Sequence, residues 1–166
     1  MVVGGGAVAT RKVGKLLQAG AGVVVVSPEV RPELAGTGVE IQRRPYTYGD
    51  LAGAYLAFTA TGSREVNAAV AAEAKERGVP INVADRPSEG DFAVPSTLRR
   101  GALQVAVSTG GASPTLARRI RSDLEEIFDP AWAYVVKELD IVRHSGGEPG
   151  EDLEEEVSRC LSRLRG

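Results

Sequence analysis

Three consecutive glycines, Gly4-Gly5-Gly6, separate a short apolar run from a stretch with helical periodicity, and this junction restricts the fold more than any other part of the chain. Gly4, Gly6 and Ala9 satisfy the pattern G-x-G-x-x-G/A in its proper setting, after a strand and at the opening of a helix. There the glycines permit a tight turn and let the backbone approach a pyrophosphate, whose charge is held by N–H groups at the helix start. A glycine turn that binds nothing is the competing reading, and the strand–turn–helix setting weighs against it. The strand itself has only Met1, Val2 and Val3 before the glycines, where about five or six residues are usual; a late start or a truncated chain is therefore expected.

The rest of the first half alternates strand-like and helix-like runs. Met1 to Gly4, Gly22 to Ser27, Val39 to Arg43, Tyr55 to Ala60 and Ile81 to Val83 are short and β-branched or otherwise apolar. Such alternation predicts a parallel sheet with crossover helices, an α/β fold of Rossmann type. The first helix is expected from about Ala7 to Ala19, with Gly20 as its left-handed stop, and Ser63 reads as the N-cap of an Ala-rich helix running to about Arg77 before Gly78.

After Pro87 the rhythm changes: an apolar strand, Leu103 to Ser108, leads into helices instead of another compact βα unit. Ser113-Pro114 reads as N-cap and first helical residue, with Leu116, Ile120, Leu124 and Ile127 expected on one buried face. Gly146 to Gly150 reads as a linker, followed by a charged terminal helix whose Leu153, Val157, Leu161 and Leu164 form a narrow stripe. The expected division is a nucleotide-binding domain over 1–98, a smaller mixed module over 99–145 and a C-terminal helical segment over 146–166.

At 166 residues the chain accommodates one dinucleotide domain with a smaller appendage. A net charge of −2 offers no global attraction for nucleic acid, although Arg118, Arg119 and Arg121 could grip an anion locally. No apolar run approaches the roughly 18 residues of a membrane span. The lone Cys160 has no disulfide partner, and no basic-then-apolar leader precedes the fold; a cytoplasmic location is the expectation. One histidine, His144, in a loop-like setting, and one cysteine make no metal cage.

A ribose-binding carboxylate normally stands at the end of the second strand, about 20 residues past the glycines. Glu29 follows Ser27-Pro28 there. It lies just beyond the usual position, so a surface-loop role competes with the ribose role. An inward Glu29 would repel the 2′-phosphate of NADP, which makes NAD the expected cofactor.

The run Val2 to Lys12 with Leu16 to Ala21, then Ala60-Thr61 with Val66-Asn67, Asn82 to Asp85, Asp91 to Ser96, and Val105 to Pro114 before Leu116-Ala117-Arg118, resembles in order the siroheme synthase dehydrogenase module, the precorrin-2 dehydrogenase family. The likeness spans about Val2 to Arg121. It implies NAD-dependent oxidation of precorrin-2 to sirohydrochlorin by a homodimer whose second module supplies dimer contacts and part of the active-site cleft. Some relatives also insert ferrous iron. The resemblance assigns catalysis to Asp85 and lines the NAD site with Ala7, Val8, Pro28 and Glu29; Gly4, Gly6, Ala9 and Thr61 are expected beside them. Gly62-Ser63 departs from the family, which carries Asp or Asn after the Ala-Thr pair.

Such an oxidation sends a hydride to the nicotinamide and a proton to a base. Asp85, following a strand end, suits the base; a turn cap beside Arg86-Pro87 is the alternative. For a polycarboxylate substrate, Ser108, Thr109, Gly110, Gly111 and Ser113 with Arg118 and Arg121 form an expected anion cradle, unless the arginines pair with Asp123 and Glu126. Thr109 matches a position that holds a regulatory serine in some relatives. Iron chelation would need no protein cage, because the tetrapyrrole brings its own nitrogens. A nucleotide-sensing regulatory module without turnover is the competing function; the segments Asp91 to Pro95 and Ser108 to Gly111 argue against it, since they match the dehydrogenase.

Overall fold

The computed structural model describes residues 1–165, so the last residue of the expected terminal segment, Gly166, lies outside the described residues. The chain divides into two compact units, Met1–Val94 and a second beginning at Pro95.

The first unit is a five-stranded sheet built from β1 (Val2–Val3), β2 (Val24–Val26), β3 (Glu40–Gln42), β4 (Ala57–Thr59) and β5 (Ile81–Val83). All neighbours are parallel, in the order β3-β2-β1-β4-β5. This is the Rossmann order, with the chain reversing its direction of growth between β1 and β4. Helix α1 (Ala7–Gln18) crosses from β1 to β2, and α3 (Arg64–Arg77) from β4 to β5; a one-turn α2 (Pro32–Ala35), which the sequence pattern does not announce, precedes β3.

Side-chain alternation along the strands explains why both faces are covered. Val3, Ala57, Ile81 and Val83 pack with Val70 and Ala74 of α3, while Val2, Val25 and Phe58 pack with Ala9 and Val13 of α1 and with Leu34 of α2. The strands are shorter than their apolar runs: Tyr55 and Leu56, expected within β4, precede it and are exposed. Ser63 caps α3 by accepting the Val66 N–H at 3.3 Å, and Gly78 ends it at φ +65°.

The second unit pairs β6 (Ser96–Arg100) with β7 (Leu103–Val107) in an antiparallel hairpin and continues through α4 (Pro114–Ile127), α5 (Ala131–Ser145) and α6 (Glu151–Ser162). Strand β6 went unread because Ser-Thr-Leu-Arg-Arg carries only one apolar residue, Leu98, which is buried. Gly101, at φ +59°, begins the two-residue turn of the hairpin. Arg100 donates from Nη2 to the Glu125 carbonyl at 3.3 Å and from Nε to that of Phe128, closing the C-terminal end of α4. Trp132, Val135 and Cys160 form the core, with Phe128 stacked at a tilt 5.2 Å from Trp132.

Three expectations about this unit change. On α4 the buried residue is Ala117, whereas Leu116 and Ile120 are exposed and Leu124 and Ile127 half-buried. On α6 the buried stripe runs Leu153, Val157, Cys160, leaving Leu161 and Leu164 exposed; a helix that packs on one neighbour buries a narrow seam, and here the seam selects the smaller side chain. His144 lies in the last turn of α5, not in a loop, with Nδ1 2.8 Å from the Asp140 carbonyl.

Candidate nucleotide site

The C-terminal ends of β1, β2 and β4 meet at the switch point, and the three glycines occupy the junction. Gly4 has φ +122°, and a Cβ there would come within 2.5 Å of the Ala60 carbonyl oxygen, just past β4. Gly5 is tighter still: its Cβ would lie 2.0 Å from the Glu29 carbonyl oxygen, and its own carbonyl accepts the Arg31 N–H at 3.0 Å. Gly6 faces open space, with nothing within 4 Å of a Cβ, and is the N-cap of α1 without a side-chain cap. The first N–H groups of α1 are thus left for a ligand, with no acidic residue in the first turn to compete for them.

A cavity of about 680 Å3 opens over this junction, inside the roughly 300–1,000 Å3 range of cofactor sites. Gly4 to Gly6, Ser27 to Arg31, Pro45-Tyr46 and Ala60 to Ser63, with Val66, contribute to its wall. The glycine cradle, where a Cβ would collide with the neighbouring loops, the open Gly6 and this volume suit a dinucleotide. Of the residues expected to bind it, Gly4, Gly6, Pro28, Glu29 and Thr61 line the cavity. Ala7 and Val8 stand exposed on the first turn of α1, whereas Ala9 is fully buried under the helix and serves its packing.

The loops around the cavity are tied down by buried polar groups. Asn67, on α3, receives the Thr61 hydroxyl at 2.8 Å and returns its amide N–H to the Thr61 carbonyl at 3.2 Å; the Thr59 hydroxyl also bonds to it. The departing pair Gly62-Ser63 is held by the same loop, the Ser63 N–H meeting the Thr61 hydroxyl at 3.2 Å. Also on the cavity wall, the Tyr46 hydroxyl bonds to the α3 carboxylate of Glu73, which is buried and also receives the Gly49 and Leu51 N–H groups at 3.0 and 3.2 Å and pairs with Arg77. Burial, and then the neighbouring Glu73 carboxylate, pushes the Tyr46 phenol well above its ordinary value. Burial opposes ionisation of Glu73, but the Tyr46 hydroxyl, the two N–H groups and Arg77 together bring its carboxyl below the usual range.

Glu29 is exposed, and its carboxylate has no hydrogen bond or ion pair among the described residues. Arg31, on the same loop, pairs with Glu33 at 3.3 Å. Asp85 lies two residues past β5 and is not part of the cavity wall. The segment leading to and beyond it is laced to the sheet: Asp91 accepts the Ile81 N–H at 2.9 Å, and Asn82 donates to the Phe92 carbonyl at 2.8 Å while bonding to Lys12. Lys12 sits over the Phe58 ring at 5.1 Å, and burial, then the charges of Lys15 and Arg11, lowers its pKa.

In the second unit, the expected anion loop begins one residue past β7 with exposed Ser108, whose hydroxyl receives the Gly110 N–H at 3.3 Å. Gly110 and Gly111 take φ +62° and +90°, and Ser113 caps α4 by accepting the Leu116 N–H at 3.1 Å. The Thr109 hydroxyl accepts the Ser113 N–H at 3.0 Å, so this threonine shapes the loop. Arg121 is paired along the helix with Glu125, a partner different from the Asp123 and Glu126 considered from sequence, and exposed Arg118 touches only the Thr115 hydroxyl, at 3.2 Å, among the described polar groups. Sequence reasoning missed Gly5, Tyr46 and Arg31. Only the unbroken glycine triplet hinted at the first.

Among the described residues no three His, Cys, Asp or Glu side chains are grouped as for a metal ion, and no helix is long and apolar enough to cross a membrane. A family model described as NAD(P)-binding matches residues 1–96, and one described as sirohaem biosynthesis protein central matches residues 100–127. The chain is 47% identical over 136 residues to a siroheme synthase of Methylobacillus flagellatus, covering 80% of this chain and 29% of that protein. It is 45% identical over 129 residues to one of Methylococcus capsulatus, covering 75% and 27%. The chain thus spans less than a third of the curated relatives it matches. A solved structure of SirC, a precorrin-2 dehydrogenase, superposes with a TM-score of 0.75 at 29% identity, covering 98% of this chain and 85% of that one.

Proposed function

Because this chain belongs to the NAD(P)-binding family of the siroheme synthase dehydrogenase module and precorrin-2 dehydrogenase, we propose that it oxidises precorrin-2 to sirohydrochlorin with NAD. The observation that carries this reading is the glycine cradle at the β1–β4 switch point, which leaves the start of α1 facing a cofactor-sized cavity.

When bound, NAD supplies a hydride acceptor. Gly4, Gly6, Ala7 and Val8 offer backbone to the pyrophosphate, with Ala9 closing the helix onto the sheet; Pro28 and Glu29 meet the adenosine ribose, and Thr61 bounds the far wall. The carboxylate of Glu29, unpaired among the described residues, supports the ribose role and favours NAD over NADP, whose 2′-phosphate it would repel. Asp85 takes the proton that leaves the macrocycle as the hydride departs, so the two electrons and one proton of the hydride, and the second proton, are all accounted for.

Substrate carboxylates are assigned to the Ser108, Thr109, Gly110, Gly111 and Ser113 loop with Arg118 and Arg121. Arg118 supports this better than Arg121, which already has Glu125. The protein would work in the cytoplasm as a homodimer through its 99–145 module. Ferrous iron is a candidate second substrate, since inserting it asks of the protein only a proton acceptor, again Asp85.

Anaerobic incubation with precorrin-2 and NAD, following NADH and sirohydrochlorin spectra together, tests the assignment. Equal formation of both, lost in Asp85→Ala, is expected. NAD binding without turnover would favour a sensing role instead.

A further inference from the structure

Arg64 opens α3, where the positive end of the helix dipole disfavours a cation, so the helix itself gives no reason for an arginine there. Its Nη2 bonds to Glu89. Its Nη1 is buried and has no hydrogen-bond partner among the described residues; the carboxylate facing it is Asp85, with Oδ2 at 3.7 Å. Arg86 reaches the other oxygen of Glu89 at 3.5 Å. Glu89 therefore draws on two guanidinium groups, whereas the Asp85 side chain has no hydrogen bond among the described residues.

A buried N–H without an acceptor is unfavourable, and an arginine fork can serve two carboxylates at once. We propose that Arg64 is the positioning residue of Asp85, closing the 3.7 Å gap to hydrogen-bond distance when the site is at work, about 2.8 Å for a charge-assisted bond. The contact aims the Asp85 carboxylate at the proton it is to accept. Glu89, by holding the other arm of the fork, sets how far Arg64 can lean. The inference rests on Asp85 as the base, and the charged groups that meet there are Arg64 from α3 and Arg86 and Glu89 from the segment after β5.

The test compares Arg64→Gln, Arg64→Lys and Glu89→Gln with the parent protein in kcat and KM for precorrin-2 oxidation, with NAD affinity and thermal unfolding measured alongside. For Arg64→Gln kcat should fall by about tenfold while KM for precorrin-2 stays within about twofold, as expected when the base is no longer oriented. The Kd for NAD should stay within about twofold, a change worth under half of one kcal/mol. Arg64→Lys should recover part of the loss, and Glu89→Gln should not lower kcat to the level of Arg64→Gln. An unchanged kcat in Arg64→Gln overturns the proposal. If the parent protein does not turn over, the dehydrogenase reading has failed, and the 13C chemical shift of the Asp85 carboxyl in the NAD-bound protein then decides the contact separately: it should differ between parent and Arg64→Gln, and superimposable spectra would refute it.

Discussion

Asn67 and Thr61 are joined at three points: the Thr61 hydroxyl and N–H both approach the Asn67 oxygen, at 2.8 and 3.3 Å, and the Asn67 amide returns to the Thr61 carbonyl at 3.2 Å. One buried side chain on α3 therefore sets the loop that follows β4, which bounds the cavity. Asn67→Ala should lower stability by about 2 kcal/mol, the cost of leaving buried polar groups unmet, and weaken NAD binding as the loop loosens. Urea unfolding and a calorimetric NAD titration measure the two effects.

The last position of the glycine triplet should answer differently from its centre. At Gly5 an added methyl meets backbone at 2.0 Å, so Gly5→Ala should destabilise by roughly 3 kcal/mol as the Glu29 loop is displaced. At Gly6 nothing lies within 4 Å. Gly6→Ala should leave the melting temperature near that of the parent while reducing affinity for NAD, because the methyl enters space meant for phosphate. Equal melting losses for both would contradict the cradle geometry.

The Glu29 carboxylate has no partner to lose among the described residues. Glu29→Ala should keep full stability yet weaken NAD binding by about tenfold or more, the range of a hydrogen bond to a charged group, and narrow the preference over NADP. Titration of both dinucleotides against parent and variant decides it; unchanged affinities would return Glu29 to a surface-loop role.

Glu73 makes stability depend on pH in a defined direction. Its carboxyl titrates below the ordinary value of 4.5 in the folded protein, so the unfolded chain binds the proton more readily. The stabilisation is complete above pH 4.5 and is lost as pH falls through the lower, folded value. Glu73→Gln should remove this acid dependence and, by leaving Arg77 and the surrounding N–H donors with a weaker acceptor, cost on the order of 3 kcal/mol at pH 7. Denaturant midpoints between pH 3 and pH 7, for parent and variant, provide the measurement.

Cys160 is buried, and burial, then the charges of Glu156 and Asp129, raises its thiol pKa. A thiol reagent should therefore label it slowly in the native protein and at once in denaturant. Fast native labelling would place α6 away from the Trp132 core.

Local chemistry made much of this protein legible without coordinates. Val-Val before three glycines, an Ala-rich helix behind Ser63, and Ser113-Pro114 ahead of α4 carry their own geometry, because glycine conformational freedom, side-chain caps and strand alternation act over a few residues. Asp85 is singled out by the family resemblance alone, and Glu29 by its place past the end of the second strand. What needed the tertiary structure are relations between distant segments. That Gly5 must be glycine depends on the Glu29 carbonyl, that Tyr46 flanks the cavity depends on buried Glu73, and that Arg64 has an unmet N–H beside Asp85 depends on how α3 begins against the turn after β5. The apolar stripes of α4 and α6 show the same limit, for helical spacing states which residues share a face, and only the neighbour packed against it decides that Ala117 and Cys160 go inside while Leu116 and Leu161 stay out.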